Sequence, residues 1–278
     1  MKQHPFSLYD FIGYFIPGAI LIYMVFIITA IKAHNPITID GIINLLPSIK
    51  AEGVILALIL SYVMGHLLSF ISSITVEKYA VWKYGFPSRY LLSMKTPKYI
   101  DHFKTFKGFF WGALIFIILL PTTLLDLILG RWFGFKDFYV RPLDGQLSKV
   151  ILFKINQLVR CLGITEANGF KKGEGSKSDF FRIVQHYTYD HSKCHQTKFA
   201  NYVALYGFLR NMTLIINVLF WYFIVHSIII NDFKPEYYWA LIITSLLSYT
   251  FFMAYMKFYR RYTLEGFMVL VIDKDVHD

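Results

Sequence analysis

The chain has 278 residues, of which 56% are hydrophobic, 19% aromatic and only 17% charged, with a formal charge of +10. A soluble domain carries about a quarter charged residues, and the deficit here falls in runs of about 20 apolar residues, the length that crosses a hydrocarbon core. That excludes an ordinary soluble protein, and it makes the positive charge first a mark of Lys- and Arg-rich cytoplasmic loops and only second a mark of a nucleic-acid partner.

In chain order, residues 5–13 read as a short amphipathic lead-in at the interface. Residues 14–31 form a first span, kinked near its start by Pro17-Gly18 because proline removes a helix donor. No small-x-small cleavage site follows it, so the segment is expected to be a retained anchor. A polar connection covers 32–53. Residues 54–74 form a second span, in which Ser61, Gly65, Ser69 and Ser72 fall on one helix face beside His66. Small residues on one face let helices approach closely, and this stripe with His66 is the candidate pore lining. The stretch 76–107 then carries seven Lys/Arg against two acids, a cytoplasmic signature.

Residues 109–130 form an apolar run interrupted by Pro121 and carrying Asp126. Its topology is open. Five crossings leave either 9 or 19 of the 28 basic residues inside, whereas four crossings with this segment broken or re-entrant leave 25 inside and 3 outside. Charge favours the second arrangement and hydropathy the first; the balance leans to four crossings. The N-terminal membrane region is therefore 1–130.

A basic cytoplasmic insert, 131–211, follows. The stretch Arg131–Met212 holds 13 Lys/Arg against 6 Asp/Glu. Apolar residues from Leu147 to Leu162 recur at helical spacing and predict an amphipathic helix over about 145–163. Residues 168–178 (NGFKKGEGSKS) read as a flexible loop; the string lacks the Gly-Lys pair of a phosphate-binding loop and no strand signal precedes it. From Asp179 to Arg210 the pattern is helical again, with no break before the next apolar run. A transmembrane hairpin over 212–256 and a cytoplasmic tail over 257–278 complete the chain. The fold class is all-α: a polytopic helical membrane protein with a helical cytoplasmic insert.

Cys161 and Cys194 both lie in the insert, which argues against a structural disulfide. His191, Cys194 and His195 would share a face of a continuous helix and could there meet on zinc, but no second Cys/His pair stands at ribbon spacing, so no metal and no cofactor is expected. Arg182, His186, His191, Lys193, His195 and Lys198 form the candidate ligand-binding cluster, suited to phosphates; contact with anionic lipid or solvent is the plainer alternative. His66, Asp126 and His226 are ionisable groups inside apolar segments and hence functional candidates, with a neutral, hydrogen-bonded role as the alternative for the histidines. No HExxH, GxSxG or paired intramembrane aspartates occur, so no enzyme is expected.

The layout, with YFIPGAI in the first span, HYTYDHSKCH in the insert and FYRRYTLEGF after the last span, resembles the small multi-span membrane effectors of bacterial anti-phage systems. Among these it is similar in plan to the channel-forming effector of Hailong-type systems. That resemblance implies a homo-oligomer in the bacterial inner membrane, controlled by a short oligonucleotide. The expected function is an oligomeric effector that conducts ions or disrupts the membrane, with a nucleotide or oligonucleotide bound at the insert. A non-conducting anchor or sensor that recruits a cytosolic partner protein is the alternative.

Overall fold

A computed structural model describes residues 8–33, 51–94, 99, 105–163, 180–230 and 235–273. Among them there is no strand, and four helices are long and apolar enough to cross a membrane. The protein is thus an all-α polytopic membrane protein. The expectations for residues 5–7, most of the 32–53 connection, the 168–178 loop and the last residues of the tail lie outside the described residues.

The lead-in and first span are one helical path. It runs through Leu8–Asp10, a π-helical segment Phe11–Phe15, and α1, Ile16–Ala33. Pro17 has no N–H to offer the carbonyl of Gly13, four residues back, and that carbonyl accepts from Asn211 Nδ2 at 2.9 Å. Next to the expected kink the helix is π-wound, with a side-chain donor from another helix. α2, Ala51–Ser72, passes through a second π segment, Ser73–Glu77, into α3, Lys78–Tyr84. Gly85 stops it with φ 80, a conformation glycine adopts at little cost, and Pro87 opens the short α4, Pro87–Leu91.

α1 and α2 meet without side chains between them. A Cβ on Gly18 would stand 1.8 Å from the Ser61 carbonyl oxygen, and one on Gly65 would stand 2.0 Å from the Tyr14 carbonyl oxygen. Two glycines at the crossing bring the backbones into contact, the device that substitutes for hydrophobic driving force inside lipid.

The interrupted apolar segment comprises α5, Phe106–Ile118, and α6, Leu120–Leu125, which continues as a third π segment, Asp126–Trp132; the two halves are set at 92°. The bend has a local cause. Leu119 leaves helical geometry and Pro121 cannot donate to Ile117. Trp221 Nε1 supplies the missing donor, 3.1 Å from the Ile117 oxygen and 3.2 Å from the Ile118 oxygen. Away from this apex both arms reach the same turns of the second span: Lys78 Nζ lies 5.9 Å from the Trp111 ring, and Lys83 Nζ lies 2.6 Å from Asp126 Oδ2. Phe106, Phe109 and Phe110 at one end and Trp132, Phe133 and Phe138 at the other are exposed, as aromatic residues are at a membrane–water boundary.

The insert supplies α7, Gly145–Cys161, and α8, Phe180–His191; two long helices follow, α9, Gln196–Ile230, and α10, Pro235–Ile272. The expected unbroken helix from Asp179 is corrected. It breaks at Ser192 and passes through a 3₁₀ turn, Lys193–His195, before α9 begins. Gln196 Nε2 donates to the Tyr189 carbonyl at 2.8 Å, satisfying an oxygen that the end of α8 leaves open. α9 and α10 pack along each other as a hairpin. At about 1.5 Å per residue each is over 50 Å long, so each extends well beyond a bilayer core. Their outer reaches join the insert: Ile151, Ile155, Leu158 and Val159 of α7 pack with Val184 of α8, Phe267 and Leu270 of α10, and Leu91 and Leu92. Residues 257–272, expected as a tail, are therefore a core helix of the basic bundle.

Candidate functional site

Each π segment coincides with a buried polar centre, a pattern common where helices carry function. The first two form one network between α9 and the first two spans. Arg210, 9% exposed, donates through Nη1 to Glu77 Oε2, through Nε to Ser72 Oγ at 3.0 Å, and through Nη2 to Ser69 Oγ at 3.1 Å and the Ser69 carbonyl at 3.3 Å. Ser72 Oγ in turn donates to Asn211 Oδ1 at 2.5 Å, and Asn211 reaches Gly13 as described. A guanidinium taken out of water needs this many acceptors to offset its desolvation.

The third π segment holds Asp126, whose side chain is fully buried. Oδ1 accepts from Tyr84 Oη at 2.6 Å and Tyr139 Oη at 2.7 Å; Oδ2 accepts from Tyr79 Oη at 2.8 Å and Lys83 Nζ at 2.6 Å. Burial, and then the adjacent Asp126 carboxylate, push the Tyr139 phenol far above its ordinary range, so it remains a donor. Gly130 makes the room: a Cβ there would meet Asp126 Oδ1 at 2.6 Å. Deeper along the bundle, Asn217 Nδ2 donates to Thr122 Oγ1 and to Ser248 Oγ, both at 2.9 Å, tying the apex of the bent segment to α9 and α10.

The candidate pore stripe divides. Ser61, Gly65 and Ser72 are buried against other helices of the same chain, and Ser69 is an acceptor for Arg210. That face is a packing seam within the chain. His66 lies at the edge of that seam. It is exposed, midway between Gly53 and Glu77, stacked on Tyr14 at 4.2 Å between ring centroids and edge-on to Tyr62 at 4.5 Å. His226 lies between the rings of Tyr222 and Tyr237 near the end of the hairpin, with its Nδ1 buried and without a hydrogen bond among the described residues.

The candidate ligand cluster also divides. Arg182 and His186 are exposed one turn apart on α8. His191 is exposed as well, with Nδ1 3.0 Å from the Tyr187 carbonyl oxygen and its ring stacked on Tyr187 at 4.0 Å. His195 Nδ1 and Lys198 Nζ instead converge on Glu265 Oε1 of α10, at 2.9 and 2.7 Å. The Lys193 side chain is outside the described residues. Because the helix breaks at Ser192, His191, Cys194 and His195 do not share a face; among the described residues no group of three metal-ligating side chains comes together.

Sequence reasoning missed Glu77, Tyr79, Lys83, Tyr84, Tyr139, Arg210 and Asn211. Two signals were present. Tyr79 and Lys83 share a helix face beside an orphan aspartate elsewhere, and Arg210-Asn211 is a polar pair at the edge of an apolar run. No family model, no curated protein and no solved structure matches the chain.

Proposed function

We propose that the chain is an oligomeric membrane effector: copies meet on the His66 face and enclose an ion-conducting path, and the basic helices outside the bilayer receive the trigger. The observation that carries this reading is His66, an ionisable side chain exposed at the middle of a span. Such groups face protein or a water-filled cavity, because lipid cannot solvate them. With Ser61 and Gly65 engaged inside the chain, His66 is the exposed polar group of this face, flanked by the half-buried Tyr14 and Tyr62.

The link to the trigger is α9. It carries Lys198 at one end, Arg210 at the junction with the apolar stretch, and Asn217 at the level of the bent segment. Displacement of its outer end is transmitted as rigid-body motion to the second span through Arg210 and Glu77. The ligand face is narrowed to Arg182 and His186, with His195 and Lys198 available once Glu265 releases them. A nucleotide or oligonucleotide suits this face by charge, and bacterial anti-phage defence is the setting that the layout resembles. The charge rule supports a cytoplasmic basic bundle if the bent segment is re-entrant and the chain crosses four times.

Reconstitution in liposomes tests the reading. Ion flux is expected from the wild-type chain with an oligonucleotide present, and its loss in His66→Leu. A bilayer that stays tight under every oligonucleotide tested would sink it. A non-conducting anchor is the second reading, favoured by Val150 and Phe153, which leave an apolar strip exposed on α7 for a cytosolic partner protein.

A further inference from the structure

At the basic end of the second span, a groove of about 420 Å³ opens between Ser73, Glu77, Lys78, Val81, Trp82, Gly85, Phe86 and Arg89. Its volume lies within the roughly 300–1,000 Å³ typical of small-molecule sites. The turn at Gly85 and Phe86 creates it, by folding Arg89 of α4 back beside the face of α3 that bears Lys78 and Val81. We propose that this groove binds the phosphodiester headgroup of an anionic phospholipid, held between Lys78 and Arg89, with its glycerol and upper acyl carbons against Val81, Trp82 and Phe86. This proposal does not depend on whether the protein conducts.

Charge supports it. Glu77, the acid in the lining, is engaged by Arg210, which leaves Lys78 and Arg89 as the groove's other charged lining residues. Among the described residues neither Lys78 nor Arg89 has an ion-pair partner, and Arg89 Nε is buried without a hydrogen bond. Arg89 as a whole is only partly buried and lines the groove, so its guanidinium is able to gain a charge-assisted hydrogen bond to a phosphate oxygen there. Lys78 Nζ is instead held over aromatic faces, 5.3 Å from the Trp82 centroid and 5.9 Å from that of Trp111. Cation–π contacts fix an ammonium in place while leaving its N–H donors for an anion.

Position supports it too. The groove is lined by Glu77, the partner of Arg210, where α9 passes from its apolar stretch to its polar one; such a change along a helix is the mark of a membrane–water boundary. An anionic lipid is favoured over a soluble phosphate because three of the lining side chains are apolar or aromatic.

The test uses the full chain in neutral detergent, with lipid retention read by native mass spectrometry. The wild type is expected to retain phosphatidylglycerol in preference to phosphatidylcholine. The double variant Lys78→Gln/Arg89→Gln should bind phosphatidylglycerol roughly thirtyfold more weakly, at about a decade and a half for two membrane-surface cations. Lys78→Arg/Arg89→Lys should retain it, and so should Lys149→Gln/Arg160→Gln, which removes two exposed cations of the basic bundle. Inorganic phosphate is expected to leave the lipid in place. Equal retention of the two lipids by the wild type, unchanged affinity in the first double variant, or displacement of the lipid by inorganic phosphate would each overturn the proposal.

Discussion

Arg210 of α9 donates to Glu77 Oε2 in the π-wound turn of the second span, and this contact joins the part of α9 that crosses the membrane to the part that carries the basic bundle. Both groups are largely out of water, with side-chain exposures of 11% and 29%. Removing one partner of such a pair strands the other. Arg210→Met or Glu77→Gln should each destabilise the fold by about 3 kcal/mol, and the double variant by clearly less than their sum. Thermal unfolding in detergent checks this. Additive losses would mean that the two side chains act independently.

Gly130 is expected to tolerate nothing larger. A methyl group there displaces a carboxylate held by four donors, so Gly130→Ala should lower the unfolding temperature as much as Asp126→Asn does. Tyr139→Phe removes one charge-assisted hydrogen bond and should cost about 2 kcal/mol. A Gly130→Ala variant as stable as the wild type would show that the Asp126 cage has slack.

The seam of the first two spans makes a similar prediction with backbone in place of a side chain. Gly18→Val and Gly65→Val drive a side chain into the Ser61 and Tyr14 carbonyls and should destabilise by about 3 kcal/mol or abolish folding. Comparable changes at Gly207, where an added Cβ meets nothing within 4 Å, should be mild. Detergent-solubilised yield and unfolding midpoint distinguish the two classes.

The re-entrant reading of the bent segment is open to direct labelling. In a background of Cys161→Ser/Cys194→Ser, single cysteines at Phe106 and Phe138, which are 85% and 75% exposed, should react with a membrane-impermeant maleimide from the same side. Labelling from opposite sides would make the segment a fifth crossing.

Glu265 holds two of the candidate ligand-binding side chains, His195 and Lys198. The Lys198 contact is half-exposed and so contributes little to stability, at most about 1 kcal/mol. Glu265→Gln removes the carboxylate charge beside the ligand face; it should leave the fold intact and tighten oligonucleotide binding about fivefold, the equivalent of about 1 kcal/mol. Weaker or unchanged binding in a salt-controlled filter assay would remove His195 and Lys198 from the ligand face.

The membrane class, the four long apolar segments, the interruption at Pro121 and the amphipathic α7 were all legible in the amino-acid sequence. Each is a local matter of apolar run length, helical period or a missing proline N–H, and such terms are read within one turn or one span. The break at Ser192 was not legible, because Asp190–His195 contains neither glycine nor proline; the turn is fixed by Gln196 reaching back to Tyr189. Which side of α2 faces inward was decided only in three dimensions. Ser61, Gly65 and His66 follow one another closely in sequence, yet the backbones of Gly18 and Tyr14 cover the first two, while the third stacks on the Tyr14 ring and stays exposed. The fates of Asp126 and Arg210 were decided the same way. A buried charge needs partners, and these come from other segments, 13 residues away for Tyr139 and Asp126 and 133 for Arg210 and Glu77, so the sequence marks the charge while only the tertiary structure supplies the groups that satisfy it.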